Sequence, residues 1–393
     1  MNPLGHLRWP FFEDRHRAFA VALDAWALAE VRDAQGADVD ALCRRLVRQL
    51  GDAGWLRPTV AGTAYGGAAD AIDTRMLCLA RETLARHAGL ADFAFAMQGL
   101  GSGAISLAGS AAQRARWLPR VAAGEAIAAF ALSEPDAGSD VAALQCAARI
   151  EGDHAVLDGE KTWISNGGIA DFYVVFARDA AAGGLPGSRA ISAFIVEAGT
   201  PGLQIAERIE VIAPHPLARL RFTNCRVPLA QRIGAAGEGF KLAMRTLDVF
   251  RTSVAAAALG FARRALEVAL HRATTRKMFG QTLADFQNTR FTLAGLHAEV
   301  LAQRVFVDRC LELHVQGQLD PVDAASCKLV TTDLQFRVMD QCLQFFGGWG
   351  YMWEYPIARA FADARMCRIG GGTAEVMKQI IANSLLPKVR KDA

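Results

Sequence analysis

Apolar and polar positions along the chain fall into three successive patterns. Over the first 125 residues Ala, Leu and Arg dominate without strand-like alternation, which predicts helices over about 11–34, 38–53 and 72–88. Gly51, Gly54, Pro58 and the Gly66-Gly67 pair punctuate the joins. The stretch 91–109 is apolar but interrupted by glycines, and reads as a helix pair or a broken helix. From about 126 to 235 short apolar runs take over, at 127–132, 146–150, 154–159, 171–178, 191–197 and 217–222. Glu151-Gly152-Asp153 predicts a hairpin between two of them, and the Gly-rich stretch 181–187 predicts a loop. Such runs without intervening helices point to a small antiparallel barrel or sandwich. After Gly239 the helical period returns: Val254, Ala258, Phe261, Ala265 and Val268 form one apolar stripe. Further helices are expected over 283–316, 322–345 and 373–385, with Pro321 placed near a helix start. The expected fold class is therefore α+β, mostly α. A helical domain spans 1–125, a middle antiparallel β-domain 126–235 and a helical bundle 236–393.

Composition narrows the function classes. With 393 residues, 52% hydrophobic and 21% charged, the chain can bury a large core. Forty-three Lys and Arg against 40 Asp and Glu give a net charge of +3 without blocks of like sign, which argues against a nucleic-acid binder. The eight cysteines are scattered, with no metal-ligand spacing, as expected of small buried side chains in a reducing compartment. The first residues carry charge where a signal peptide needs an apolar run, and no stretch reaches the roughly 18 apolar residues of a membrane helix. A cytoplasmic enzyme with no membrane partner is the expectation.

Five segments have residues suited to chemistry. In 131–140, where a strand ends, Ser133, Ser139 and Gly138 offer hydroxyl and backbone N–H groups to a ligand, or form an ordinary turn. In 160–168, Trp163 and Ser165 share one strand face, where an indole beside a hydroxyl suits a flat cofactor or, equally, a structural core. In 275–287, Arg276 on the last turn of the long helix and the Phe279-Gly280 pair could meet a phosphate; a solvated arginine is the plain alternative. In 343–356, Gly347, Gly348 and Gly350 among Phe, Trp and Tyr let a helix end pack on a ligand. In 370–376, three glycines precede Thr373 and a new helix, either a phosphate seat at a helix N-terminus or a hinge.

Taken in this order, the five segments resemble the acyl-CoA dehydrogenase flavoprotein family over nearly the whole chain. The resemblance implies a helical N-terminal domain, a middle β-domain and a C-terminal four-helix bundle. It also implies one FAD held across subunits of a homotetramer or homodimer, an acyl-CoA substrate, and an electron-transfer flavoprotein as electron acceptor. Carried over by position, it gives Phe130, Leu132, Ser133 and Ser139 contacts to flavin or thioester, and Trp163 and Ser165 contacts to the isoalloxazine. Arg276 and Phe279 match contacts to a neighbouring subunit's FAD, Gln344 and Gly348 further adenosine-side contacts, and Thr373 and Glu375 those after the glycine loop. Asp248 and Arg251 match positions that meet the CoA moiety.

The departures from the family pattern concern the base. Most members hold a glutamate directly before the Gly-Thr of the last motif, where this chain has Gly371; a minority hold it on the long helix, where this chain has Phe250. Asp248 is two residues away, about 200° around a helix. α,β-Dehydrogenation needs a carboxylate near the substrate carbon. Asp92, a lone acid among Leu90, Phe93, Ala94 and Phe95, is the replacement candidate, with a raised pKa, against a plain helix N-cap reading. A base there resembles the cyclohexanecarboxyl- and cyclohexenecarboxyl-CoA dehydrogenases and points to a cyclic or branched acyl group. The alternatives are a redox-neutral member such as an acyl-CoA desulfinase, or a non-catalytic flavin- or CoA-binding homologue.

Overall fold

A computed structural model of the chain describes residues 5–183 and 187–386. They form two compact units, one of residues 5–34, 74–92 and 250–386, the other of 35–73, 93–183 and 187–249. The α-helices are α1 (Asp14–Glu30), α2 (Val39–Asp52), α3 (Thr74–His87), α4 (Gly89–Ala108) and α5 (Ala111–Ala122), then α6 (Gly239–Thr275), α7 (Gln287–Val315), α8 (Pro321–Gln344), α9 (Pro356–Arg365) and α10 (Ala374–Leu385). The strands are β1 (Ala128–Ala131), β2 (Ala147–Glu151), β3 (His154–Ser165) and β4 (Phe172–Asp179), then β5 (Ile191–Glu197), β6 (Leu203–Arg208), β7 (Leu217–Pro228) and β8 (Arg232–Ile233), and after α6 a small hairpin of β9 (Lys277–Met278) and β10 (Gln281–Thr282). Fold class and element order are those expected: α+β, mostly α, with helices, then strands, then long helices.

The first unit is helical. Its core runs along α6 through Ala255, Leu259, Phe261, Ala265 and Ala269, against Val307 and Leu311 of α7 and Val338 and Met339 of α8. The alanines on α6 let neighbouring helices approach closely while still removing apolar surface from water. One carboxylate stands inside this packing. Glu82 of α3 is 3% exposed and meets the guanidinia of Arg263 on α6 and Arg304 on α7, with Asp308 one turn further bonded to Arg304 at 3.1 Å. Burial works against the charge on Glu82, but Arg304 and Arg263 outweigh it and hold the carboxyl at about 2. Pro321 takes the first position of α8, and Asp320 caps the helix through Val322 N and Asp323 N.

The second unit holds the sheet, in the order β6-β7-β3-β2-β4-β5-β8, with β1 alongside β4. Most pairs are antiparallel, while β1–β4 and β2–β4 are parallel. Its core is built from Phe172, Val174 and Phe176 of β4 and Ile191 and Ala193 of β5, packed on Trp117 and Leu118 of α5. The predicted runs recur as β1, β2, β3, β4, β5 and β7. The sheet also contains β6 and β8; β6 is exposed along nearly its whole length, so no apolar alternation marks it. Residues 181–183 and 187 of the expected loop lie in or beside short 3-10 turns, and its remainder falls outside the described residues.

The expected break within 91–109 is corrected by the structure: α4 is one continuous helix. Its glycines serve close approach instead. A Cβ on Gly101 would stand 2.6 Å from Cβ of Ala128, so β1 rests directly on this turn. Gln98 secures the contact, donating from Nε2 to Ala126 O at 2.7 Å and accepting from Ala128 N at 3.0 Å.

Glu82→Gln keeps the shape but removes the charge that balances two buried guanidinia. Loss of one partner of a buried pair typically costs about 3–5 kcal/mol. A urea midpoint lowered accordingly is expected; a change within about 0.5 kcal/mol of wild type would show that the arginines find compensation elsewhere.

Candidate active site

In the helical unit the expectation for Asp92 changes in two respects. It is not an N-cap, because α4 begins at Gly89 and Asp92 N already donates to Ala88 O at 3.2 Å. Nor is it alone. Arg81 of α3 grips it with two charge-assisted bonds, Nε to Oδ1 at 2.9 Å and Nη2 to Oδ2 at 2.7 Å, with both residues under a tenth exposed. Burial opposes the charge on Arg81, and Asp92 more than restores it. The third arm of the guanidinium, Nη1, donates to Ser253 Oγ at 3.0 Å, and Ser253 Oγ–H donates in turn to Phe250 O at 2.6 Å. Asp92 is thereby fixed to a chain reaching the helix turn that carries Phe250, a buried ring. The fork leaves each carboxylate oxygen a further lone pair.

Asp92 also has an acidic neighbour. Asp363 of α9 packs so tightly on Gly89 that a Cβ there would collide with its Oδ2. Burial pushes the Asp363 carboxyl up to about 7; Arg359 opposes the rise and the charge of Asp92 adds to it. Arg81 and Asp363 were not singled out in the sequence, since neither lies in a motif and their partners are remote along the chain.

Gly371 has φ of +68°, and a Cβ there would meet Val254 Cγ2 of α6 at 3.6 Å. The glycine loop is tied down by Lys328 of α8, a fully buried lysine whose Nζ donates to Gly372 O at 2.7 Å and which burial lowers to about 8. Thr373 caps α10, its hydroxyl accepting from Val376 N at 3.3 Å, so one of the N–H groups expected to be free is occupied. Glu375 is exposed.

A cleft of about 660 Å³ in the same unit brings together Arg276, Gln344 and Gly348, with Arg272, Phe346 and Trp349. Arg276 lies one residue beyond the end of α6, its N–H still bonded to Arg272 O at 2.9 Å. Phe279 is not part of the lining; it stands 89% exposed in a left-handed backbone conformation. Arg251 is buried on α6.

In the sheet unit, Glu134 and Lys161 organise the end of β1. Lys161 is fully buried and donates to Glu134 Oε1 at 2.7 Å and Leu132 O at 3.0 Å. Glu134 accepts also from Gln145 N at 2.6 Å and Cys146 N at 2.9 Å, closing the turn that displays Ser133 and the exposed Ser139. Ser133 O takes Thr162 N at 2.9 Å, so this turn is bonded to the strand carrying Trp163. There β3 slips register between Lys161 and Ile164, and Trp163 adopts φ of +58° and is 59% exposed. Ile164 is buried and Ser165 half-buried. An exposed indole held in a strained conformation is the arrangement a stacking ligand would use. Phe130 leans on Phe176 with centroids 4.9 Å apart, Leu132 is buried, and Asp248 is exposed on α6.

Asp363 makes stability depend on pH. Its folded value lies above its unfolded one, so the native state holds the extra proton, and stability from this group falls as pH rises from about 4 through about 7. Asp363→Asn lacks that loss and should gain in melting temperature relative to wild type between pH 5 and pH 8. Parallel melting curves across that range would contradict the shift.

Residues 13–125, 129–225 and 237–386 match, in order, the N-terminal, middle and C-terminal domains of acyl-CoA dehydrogenase. The chain is 38% identical over 327 residues to the short-chain specific acyl-CoA dehydrogenase of Megasphaera elsdenii, covering 82% of this chain and 85% of that protein. Among solved structures, a chain from work on the electron transferring flavoprotein of Acidaminococcus fermentans superposes with a TM-score of 0.87 at 32% identity, covering 96% of this chain and 99% of that one. An acyl-CoA dehydrogenase complexed with FAD from Bacillus anthracis gives a TM-score of 0.87 at 28% identity, covering 95% and 67% of the two chains. Three consecutive domain matches spanning most of its length show that this chain belongs to the acyl-CoA dehydrogenase family of oxidoreductases.

Proposed function

We propose that this enzyme oxidises an acyl-CoA thioester with a compact, cyclic or branched acyl group, using FAD and an electron-transfer flavoprotein, with Asp92 as the base. The observation that carries this reading is the carboxylate of Asp92, buried and aimed by the Arg81 fork. With glycine at 371 and phenylalanine at 250, neither family position for the base offers a carboxylate. A ring as bulky as Phe250, at a position where relatives hold smaller or acidic residues, favours a compact acyl group over a long chain. The matched relatives are dehydrogenases, and the redox-neutral alternative draws no support from them.

The residues suit a flavin dinucleotide. Trp163 presents an open indole, Ser133, Ser139 and Ser165 supply hydroxyls, and the cleft of Arg276, Gln344 and Gly348 pairs guanidinium charge with aromatic walls. When bound, FAD supplies the two-electron acceptor of the reaction. Phe130, Leu132, Thr373 and Glu375 complete the proposed cofactor contacts, and Asp248 and Arg251 those to CoA. Arg276 and Phe279 serve the cofactor of a neighbouring subunit in a homotetramer or homodimer. The exposure of Phe279, Trp349 and Tyr351 supports a covered interface. Eight buried thiols, none in a disulfide among the described residues, are in keeping with a reducing cytoplasm.

Asp92 takes the α-proton while the adjacent carbon, or one a vinylogous unit away, gives up its hydrogen with the bonding pair, leaving a double bond. Arg81 is a positioning residue: it keeps the accepting oxygen in place, and Ser253 fixes Arg81 in turn.

Loss of a general base commonly costs about 10²–10⁴-fold in rate. Asp92→Asn should keep FAD and thioester binding yet lose rapid anaerobic flavin bleaching; bleaching at the wild-type rate would leave Asp92 a structural partner of Arg81. Arg276→Ala should lose flavin colour and dissociate together. Across a thioester panel, fastest reduction by palmitoyl-CoA would refute the compact pocket.

A further inference from the structure

Between β6 and β7 the chain passes through Pro214-His215-Pro216, to which the chemistry above gives no task. His215 Nδ1 lies 2.7 Å from Ala213 O. A carbonyl oxygen only accepts, so Nδ1 carries the ring proton and Nε2 presents a lone pair. Nε2 is shielded from solvent and has no hydrogen-bond partner among the described residues. Burial pushes the imidazole down from its ordinary value, which keeps the ring neutral.

The ring lies in the sheet unit beside residues assigned above to the substrate and the flavin. The imidazole packs on Phe93 of α4 with centroids 4.6 Å apart, and Phe93 directly follows Asp92 in the helix. On the other side, Pro216 O accepts from Asn166 N at 2.9 Å, and Leu217 pairs in register with Ser165, proposed above at the flavin edge. The two prolines fix the backbone dihedrals around the ring, so it is presented with little loss of freedom on binding. A buried acceptor without a donor costs free energy, which a donor brought by a ligand recovers.

We propose that His215 is a specificity-determining residue whose Nε2 accepts a hydrogen bond from a hydroxyl on the acyl group, so that the substrates are hydroxylated acyl-CoA thioesters. The proposal rests on the reading of the acyl site given above. A terminal carboxylate or sulfinate, which brings no proton, meets this lone pair unfavourably.

The test uses the FAD-loaded enzyme with two matched pairs: 4-hydroxybutyryl-CoA against butyryl-CoA, and 4-hydroxycyclohexanecarboxyl-CoA against cyclohexanecarboxyl-CoA. A site built around a substrate hydroxyl rejects the analogue lacking it. In at least one pair the hydroxylated thioester should be favoured about tenfold or more in kcat/KM, chiefly through KM. His215→Phe, which keeps the packing on Phe93, should abolish or invert the preference, and His215→Gln, which keeps an acceptor, should retain part of it. Equal or better use of both deoxy thioesters by wild type overturns the proposal and leaves water as the partner of Nε2. A His215→Phe variant that slows both members of a pair equally overturns it too. If no thioester bleaches the flavin, the dehydrogenation reading fails by itself. The calorimetric Kd ratio within each pair then decides the role of His215: a tenfold ratio lost in His215→Phe supports it, and a ratio near one ends it.

Discussion

In the interior of the helical unit two carboxylates, Glu82 and Asp92, meet guanidinia, and α3 supplies one member of each pair from successive positions. Glu82 collects Arg263 and Arg304 from α6 and α7, while its neighbour Arg81 turns about 100° away to hold Asp92 and Ser253. Packing of the long helices and aim of the proposed base are therefore set by one stretch of backbone. A displacement of α3 would misplace Arg81 and unpair Glu82 together, and burial makes either loss expensive.

The sheet unit contains a comparable buried pair, Lys161 with Glu134. Lys161 has no solvent to turn to, so Glu134 and Leu132 O must satisfy it, and in doing so they lock the turn after β1 to the strand that carries Trp163. The register slip beyond Lys161 then delivers the indole outward in a left-handed conformation costing about 1–3 kcal/mol. Rigidity on the inner side is what allows strain on the outer side to persist.

Much of this was legible in the sequence. The three stretches of differing periodicity recur as elements close to the expected bounds, because long amphipathic or apolar runs decide their own secondary structure. The elements that escaped notice had little pattern to give: β6 is exposed on both sides, and β8 is two residues long. α5 and α9 are short, although the Ser110–Gln113 capping box and Pro356 did mark their starts. Residue type points to Asp92, while its environment does not follow from the sequence. A partner eleven positions back, across the break between α3 and α4, follows no helical spacing. Arg81, Asp363, Lys328 and His215 share that difficulty, since each acquires its meaning from a neighbour that only folding supplies.

The backbone at Gly371 bears on how the protein could have changed over time. With φ of +68° the position lies in the region that resists side chains, at a penalty of roughly 1–2 kcal/mol for an ordinary residue. Lys328 pins the next residue from beneath, so the loop cannot easily relax to admit one. A single codon change that installed a carboxylate there would add an acid on a strained backbone. A carboxylate at this position would therefore call for a rearranged loop as well as a new side chain.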